Sequence, residues 1–376
     1  MSPSALRIER LELRNFRNLE PLALEPGPRF NVFSGQNGAG KTSLLEAIHY
    51  LGALRSFRSG RTEDLIRLGD DEALASARLV GDLAPRVFRI ALSRVRARAV
   101  TIDGKRPRNH AVHAAALPVV VFHPGDLALA SGGSEGRRAF LDRVLEQIDP
   151  TYSPVLAEYE KARSSRNRLL KQESVDRRAI TVYDEMLATR AVVIGTARAE
   201  ILTDLAPRIE AAFGAIVGEH LPLRVRYEPR VAPTVRAMRT ALAESFEKDR
   251  ARGFTAEGPH GDEIAIAMKD VRARHHASQG QHRAMALAMR LAELDVIASR
   301  TGRIPLLLLD DVSSELDPER NRRLFERIAS VGGQVFLTTT QPSLIRLDVE
   351  RRDFAVRSGT VAASSDSSSA TQVGSD

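Results

Sequence analysis

The segment Gly35-Gln36-Asn37-Gly38-Ala39-Gly40-Lys41-Thr42 constrains this chain more than any other. It satisfies the pattern G-x-x-x-x-G-K-[ST], and its flanks are the ones that pattern needs. Arg29-Phe30-Asn31-Val32-Phe33-Ser34 ahead of it reads as a short apolar strand. Ser43-Leu44-Leu45-Glu46-Ala47-Ile48-His49-Tyr50 behind it reads as an amphipathic helix. Glycine lets backbone N–H groups close on a phosphate with no Cβ in the way. The helix N-terminus adds unsatisfied donors and the positive end of a dipole. In such a cradle Lys41 reaches the β- and γ-phosphates and Thr42 holds Mg2+. A chance glycine-rich turn before a helix is the bland alternative, and the matching flanks weigh against it. The chain is therefore expected to bind ATP or GTP through Gly35–Thr42.

The 376 residues leave room for two or three domains, or for one domain with a large insertion. There are no cysteines, so disulfides and thiolate metal sites are excluded. The opening Met1–Arg7 has no apolar h-region, and no run of about 18 apolar residues occurs. A soluble, cytoplasmic protein without a membrane partner is expected. The net charge of +7 suggests a polyanionic partner. Arginine-rich usage alone would also give it, but the charge is unevenly spread. Arg86, Arg89, Arg94, Arg96, Arg98, Lys105, Arg106 and Arg108 stand in one stretch with a single acid, Asp103. Lys161, Arg163, Arg166, Arg168 and Lys171 form a second cluster in a helical region. Local bias of this kind favours a nucleic-acid face over a merely solvated one. Arg94, Arg96, Arg98, Lys105, Arg106 and Arg108 are the candidate DNA contacts.

Along the chain, residues 5–33 read as short strands, Leu6–Ile8, Leu11–Leu13 and Leu22–Leu24, before the strand into the phosphate loop. Residues 73–102 alternate in the manner of an antiparallel sheet with arginines on its outer face, and Asp103-Gly104 is a hairpin turn signal. Val119–Phe122 is a buried-strand run. From about residue 134 the period becomes helical, with Phe140, Leu141, Val144, Leu145 and Ile148 on one face. Helices are expected over 152–170, 176–205, 207–220 and 232–250. After 250 the α/β character returns: a strand at 265–268, a helix from His282 to Ser299, a strand at 304–309, a helix over 318–330 and a last core strand at 334–337. Four segments result: 1–129 as the first part of an ATPase head, 130–250 as an inserted helical lobe, 251–361 as the rest of the head, and 362–376 as a serine-rich tail expected to be disordered.

Leu306-Leu307-Leu308-Leu309-Asp310-Asp311 ends a buried strand in two acids, as a phosphate-loop enzyme requires. Asp310 is expected to serve Mg2+, and Asp311 to position the attacking water. Ser278-Gln279-Gly280-Gln281 precedes another helix, where a Ser and a Gly offer a second anion-binding device; an ordinary N-cap is the simpler reading of that segment alone. Ser313-Ser314-Glu315-Leu316-Asp317 follows the paired acids. In this order the four segments resemble the ABC-type ATPases. That resemblance implies a dimer closed on ATP, with the Ser278–Gln281 segment of one copy against the γ-phosphate held by the other.

More specific segments narrow the class. They are Leu11–Leu19 (LELRNFRNL), Arg55-Ser56-Phe57-Arg58, Asp64–Gly69, Val121–Leu127 (VFHPGDL), Gly136–Asp142, Arg166–Lys171, Gly258–Asp262 (GPHGD), Ala277–Gln281 and Pro305–Asp317. Together they resemble the RecF family over about residues 5–361. The fold implied is α/β: an ABC-type P-loop ATPase head with an antiparallel β subdomain and a mainly helical inserted lobe, without a long coiled coil. RecF-like proteins bind ATP, dimerise on it and bind DNA. They act with RecO and RecR to help RecA load at single-strand gaps, and they support the SOS response. Their slow, weakly DNA-stimulated ATP hydrolysis resets a switch. By position the resemblance implies nucleotide contacts at Gly35 to Thr42 and, in trans, at Ser278, Gln279, Gly280 and Gln281. It implies Lys41, Asp310, Asp311 and Ser278 as the catalytic set and Thr42 with Asp310 at the metal. Asp311 stands where related ATPases have Glu, Thr338-Thr339-Thr340 where many have a switch His, and Gly261 where the family more often has Arg. His123 or Asp126 falls in the sensor loop. Few aromatics accompany the basic residues, so backbone contact with duplex or gapped DNA is expected over base stacking. A transport-type ABC ATPase subunit is the alternative function, and a nuclease with an ABC-type motor would need a further acidic cluster.

Overall fold

The computed structural model describes residues 4–81, 84–218, 221–312, 317–345, 347 and 349–364. They divide into two compact units, one from the described residues of 1–126 with 293–376, the other from those of 127–292.

Among the described residues, the first unit holds two large sheets and a parallel pair of short strands, Ser4–Ala5 with Arg303–Ile304. One has six strands in the spatial order Thr360–Ala363, Arg351–Arg357, Phe30–Ser34, Val335–Thr339, Leu306–Asp310, Val119–Phe122. Every pairing is parallel except that of the first two strands. Parallel strands are covered on both faces and so read as unbroken apolar runs, which is the character of Leu306–Leu309 and Val119–Phe122. The register pairs Ser34 with Thr339 and Thr338 with Asp310, so the loops leaving these strands gather at their carboxyl ends. Open α/β sheets bind their ligands there. The strand expected to be last, at 334–337, is followed by another two. Arg351–Arg357 escapes notice because it buries only Phe354 and Val356.

The other sheet is antiparallel, in the order Leu22–Leu24, Arg7–Arg14, Glu72–Val80, Arg86–Ser93, Ala99–Ile102. The two short strands expected at 6–8 and 11–13 are one strand. Its register shifts between Ile8 and Arg10, and that bulge breaks the two-residue period of Ile8, Leu11 and Leu13. Helix Lys41–Ala53 packs against strands of both sheets and is buried from Ser43 through Gly52. Its Leu44, Leu45, Ile48 and Leu51 join the core of this unit with Phe33, Phe88, Leu308 and Phe336, while Glu46 and His49 are buried polar residues on the same helix.

The second unit is mainly helical, with helices Ser134–Ile148, Tyr152–Leu170, Arg177–Val217 and Val235–Arg252. The expected break at Pro207 is absent. Proline removes one donor from a helix, yet Leu205, Ile209, Ala212, Phe213 and Ile216 carry the buried stripe through it. The lobe also extends further than 130–250. Glu263–Met268 pairs antiparallel with Leu223–Glu228, not with a strand of the head, so its backbone hydrogen bonds belong to this unit. At the other end of the chain, Ala362 and Ala363 lie in a strand instead of a tail. Residues 365–376 and the Ser313–Leu316 part of the segment after the paired acids lie outside the described residues. Among the described residues, no helix is long and apolar enough to cross a membrane.

Candidate nucleotide site

The phosphate loop leaves strand Phe30–Ser34 and enters helix Lys41–Ala53. Gly38 and Gly40 take φ of 78° and 112°, a region costly for any residue with a Cβ. At Gly35 the constraint is contact, because a Cβ there would lie 2.2 Å from the Val356 carbonyl oxygen. The loop is tied from two further sides. Asn18 donates from Nδ2 to the Gly38 carbonyl (3.1 Å) and accepts from the Ser43 hydroxyl (2.7 Å). The Gly359 amide donates to the Ala39 carbonyl (2.8 Å). Gln36, Asn37 and Gly38 are exposed at the tip and Ala39 is buried.

Lys41 is nearly buried, its ammonium donating to the Gly35 (2.6 Å) and Gln36 (2.9 Å) carbonyls. Burial pulls its pKa below the ordinary lysine value, against the opposing pull of Asp311 and Asp310. Thr42 donates to Asp310 Oδ1 at 2.9 Å, and the Thr338 hydroxyl donates to the same oxygen at 2.8 Å. Burial raises the Asp310 carboxyl above the usual range, although both hydroxyls favour its charged form. Asp311 follows with φ of 52°, a left-handed conformation that Asp tolerates better than most. Its amide donates to the Thr338 hydroxyl at 3.0 Å. Thr338 thus spans both acids, a role the sequence shows only as a departure from the related ABC-type ATPases.

These residues open onto a cleft of about 660 Å3 lined by Asn37, Gly38, Gly40, Lys41, Thr42, Asp310, Asp311 and Thr338 on the phosphate side. Its opposite rim has Arg17, Arg58, Asp64, Ile66, Leu68 and Arg94. Leu68 is 94% exposed there. Glu46, fully buried, accepts from Arg17 Nε (2.9 Å) and Nη2 (2.7 Å), from Arg58 and from Ser56. Apart from Arg94, read in sequence as a DNA contact, these rim residues appear in sequence only as motif letters, since the partners meet from distant loops.

A hydroxyl and a carboxylate are suited to Mg2+, which takes one or two carboxylates and completes its shell with phosphates and water. Among the described residues there is no cluster of three or more His, Cys, Asp or Glu that would hold a metal by protein alone. The Asp310 oxygen faces hydroxyls, not a guanidinium, and that donor set fits a metal shared with a phosphate.

Other expected residues have different work. Arg94 donates to the Asp70 (2.8 Å), Arg67 and Ile66 carbonyls, and it belongs to the cleft rim. Arg98 caps the helix after the phosphate loop by donating to the Leu54 carbonyl (2.6 Å) and Tyr50 hydroxyl (3.0 Å). Arg96 pairs with Glu72. Lys105, Arg106 and Arg108 are exposed at the Asp103-Gly104 turn, not on the sheet face. The outer face of the sheet carries Arg10, Arg14, Arg78 and Arg89 instead, of which Arg10 and Arg78 pair with Glu12 and Glu9. Asp126 is buried, accepting from the His123 amide (3.0 Å), while His123 stacks on Phe57 at 5.0 Å.

In the second unit, Ser278 and Gln281 form a capping box: the Gln281 amide donates to Ser278 Oγ (3.2 Å) and the Ser278 amide to Gln281 Oε1 (2.8 Å). The simpler reading of that segment is therefore realised, and the accepting Ser278 oxygen keeps its own proton for another acceptor. Gln279 opens the helix and Gly280 is part of its first turn. At Gly261 a Cβ would meet Arg230 Cδ at 2.5 Å, so an arginine side chain from elsewhere fills the space where the family more often has its own.

The family model described as the RecF/RecN/SMC N terminal domain matches residues 7–352. The chain is 37% identical to a DNA replication and repair protein RecF of Myxococcus xanthus, over 94% of this chain and 98% of that one. It is 39% identical to one of Anaeromyxobacter sp., over 90% and 94%. A solved recombination mediator protein RecF with ATP, from the RecFOR pathway, superposes with a TM-score of 0.88 at 28% identity, covering 96% of this chain and 98% of that one. The Smc head domain of Pyrococcus furiosus gives 0.57 at 16% identity, covering 96% of each, a likeness of fold alone.

Proposed function

Since this chain belongs to the RecF family of ABC-type ATPases, we propose that it is an ATP-gated DNA-binding protein of recombinational repair and replication. The observation that carries this reading is the single cluster in which Lys41, Thr42, Asp310, Asp311 and Thr338 converge. ATP is the nucleotide that the relatives' bound forms favour. On binding, Lys41 exchanges two backbone carbonyls for phosphate oxygens. Thr42 and Asp310 would hold Mg2+, which would offset charge on the β- and γ-phosphates. Asp311 orients the attacking water; its shorter reach than Glu suits a slow switch. Ile66 and Leu68 supply the apolar contact for the base.

The finer mechanism rests on the family. Two copies close on ATP, and the Ser278 hydroxyl of each donates to the γ-phosphate held by the other. The closed dimer grips the DNA backbone at a gap or junction through Lys105, Arg106, Arg108 and the free arginines of the sheet. There it works with RecO and RecR in loading RecA and in supporting the SOS response, and hydrolysis releases it. A transport subunit has no comparable support.

Binding of the whole protein to a gapped duplex, with ATP and with ADP, tests this while light scattering follows mass. Wild type should bind tightly only with ATP and only as a dimer. Ser278→Arg should still bind ATP as a monomer but should neither dimerise nor hold DNA. Normal ATP-driven dimerisation of that variant would overturn the composite site.

A further inference from the structure

The second unit contains a small cavity of about 210 Å3 that none of the nucleotide machinery uses. Its lining is Arg137, Glu263, Arg272, Arg274 and His275, with Ala130 and Ile266 as the apolar wall. Small-molecule sites usually run to about 300–1,000 Å3, so this one has room for a phosphate group and not for a nucleotide.

Its charge is unbalanced. Arg137 is buried, its Nη1 donating to the Leu129 (3.2 Å) and Gly132 (2.9 Å) carbonyls and its Nη2 to Glu263 Oε1 (2.9 Å). Ser134 donates to the other Glu263 oxygen. The one carboxylate in the lining is thus already matched. Burial pushes the Glu263 carboxyl up, but Ser134, Arg137 and the charge of Arg272 outweigh it and hold it below the usual range. Arg272 and Arg274 add two exposed cations at the mouth, and no carboxylate in the lining is left to match them. Arg272 pairs across the sheet with Glu228 at 2.9 Å, where both side chains are about half exposed. Exposed pairs of this kind contribute little, so Arg272 can turn to a stronger acceptor at little loss. Arg274 and His275 stand on the short helix Ala273–His276, which runs directly into Ser278.

We propose that this cavity seats one phosphodiester of the DNA backbone, held by Arg272, Arg274 and His275 against the fixed Arg137–Glu263 pair. The proposal rests on the DNA-binding reading above and adds a contact in the second unit, on the helix that leads to the γ-phosphate contact Ser278. A phosphate seated there reads no bases; it fixes position.

The test is the salt dependence of duplex affinity with ATP, for wild type and for Arg274→Ala/His275→Ala. Each duplex phosphate contact contributes about 0.9 to the slope of log K against log salt. The variant should lose about one in that slope and bind roughly ten-fold more weakly at low salt, equally across DNA sequences. ATP affinity and ATP-driven dimerisation should stay at wild-type levels. An unchanged slope overturns the proposal. So does a loss of DNA binding that comes with failed dimerisation, because the phosphate concerned would then be that of the partner copy's nucleotide. Wild type that binds no DNA with ATP would sink the broader reading instead. If the double variant does not fold, the single exposed change Arg274→Gln decides the matter by the same slope.

Discussion

Replacing Glu46 by Gln should loosen the nucleotide cleft from behind. The side chain is fully buried, and Arg17 holds it in a fork at 2.7 and 2.9 Å while Arg58 (3.4 Å) and Ser56 close around it. Gln keeps the shape and removes the charge. Breaking a buried ion pair costs about 3–5 kcal/mol where the orphaned partner stays dry. Here Arg17 is 19% and Arg58 46% exposed, so both can rehydrate. That lowers the expectation to about 2–3 kcal/mol. For a unit of this size about 2–4 °C follows from each kcal/mol, which gives a fall in Tm of roughly 5–10 °C. Calorimetry of wild type, Glu46→Gln, Arg17→Gln and the double variant would measure it. A coupling of at least about 1 kcal/mol between the two sites is expected, because they share one contact. ATP should also protect Glu46→Gln less than wild type, since Arg17 and Arg58 line the cleft. A fall under 2 °C with additive single effects would refute the claim that Glu46 organises this rim.

The other expectations are as follows. Gly35→Ala forces a methyl group to 2.2 Å from the Val356 oxygen. ATP affinity by calorimetric titration should fall at least ten-fold, about 1.4 kcal/mol; unchanged affinity would mean that the backbone there yields freely. Asp311→Asn should keep ATP binding and slow hydrolysis by about 100-fold or more, the scale of a lost general base, while dimers persist longer in light scattering. Turnover at the wild-type rate would remove Asp311 from the chemistry. His113, buried with Nε2 against the Leu51 carbonyl at 2.6 Å, has its pKa pushed down to about 4, mainly by burial. The unfolded chain binds a proton near pH 6.5 that the folded one refuses until about pH 4. Stability is therefore lost as pH falls through that window, by about 2 kcal/mol at pH 5 relative to pH 7. In His113→Gln the Tm should decline less steeply between pH 7 and 5, and an identical decline would exclude this histidine as the cause.

What the sequence made legible was local. The phosphate loop lies in one continuous stretch, and the paired acids end one apolar run, so pattern alone located both. What it hid depends on contacts between distant segments. Arg98 looks like part of a DNA-binding cluster until Leu54 and Tyr50 appear beneath it. Thr338 looks like a missing histidine, yet its hydroxyl links Asp310 to Asp311. The lobe reads too short in the sequence because Glu263–Met268 has the composition of a head strand, and only its pairing with Leu223–Glu228 assigns it. Pro207 argued for two helices where burial of one stripe sustains a single one.

The strand that leads into the phosphate loop has no neighbour from its own half of the chain in its sheet. Phe30–Ser34 lies between Val335–Thr339 and Arg351–Arg357, and the loop itself leans on Val356 and Gly359. A growing polypeptide on the ribosome has made Lys41 long before any of these supports exists. Contacts of such wide separation form late and slowly. During synthesis the most recognisable motif of the chain therefore stands without these supports until the strand Arg351–Arg357 and Gly359 have been made.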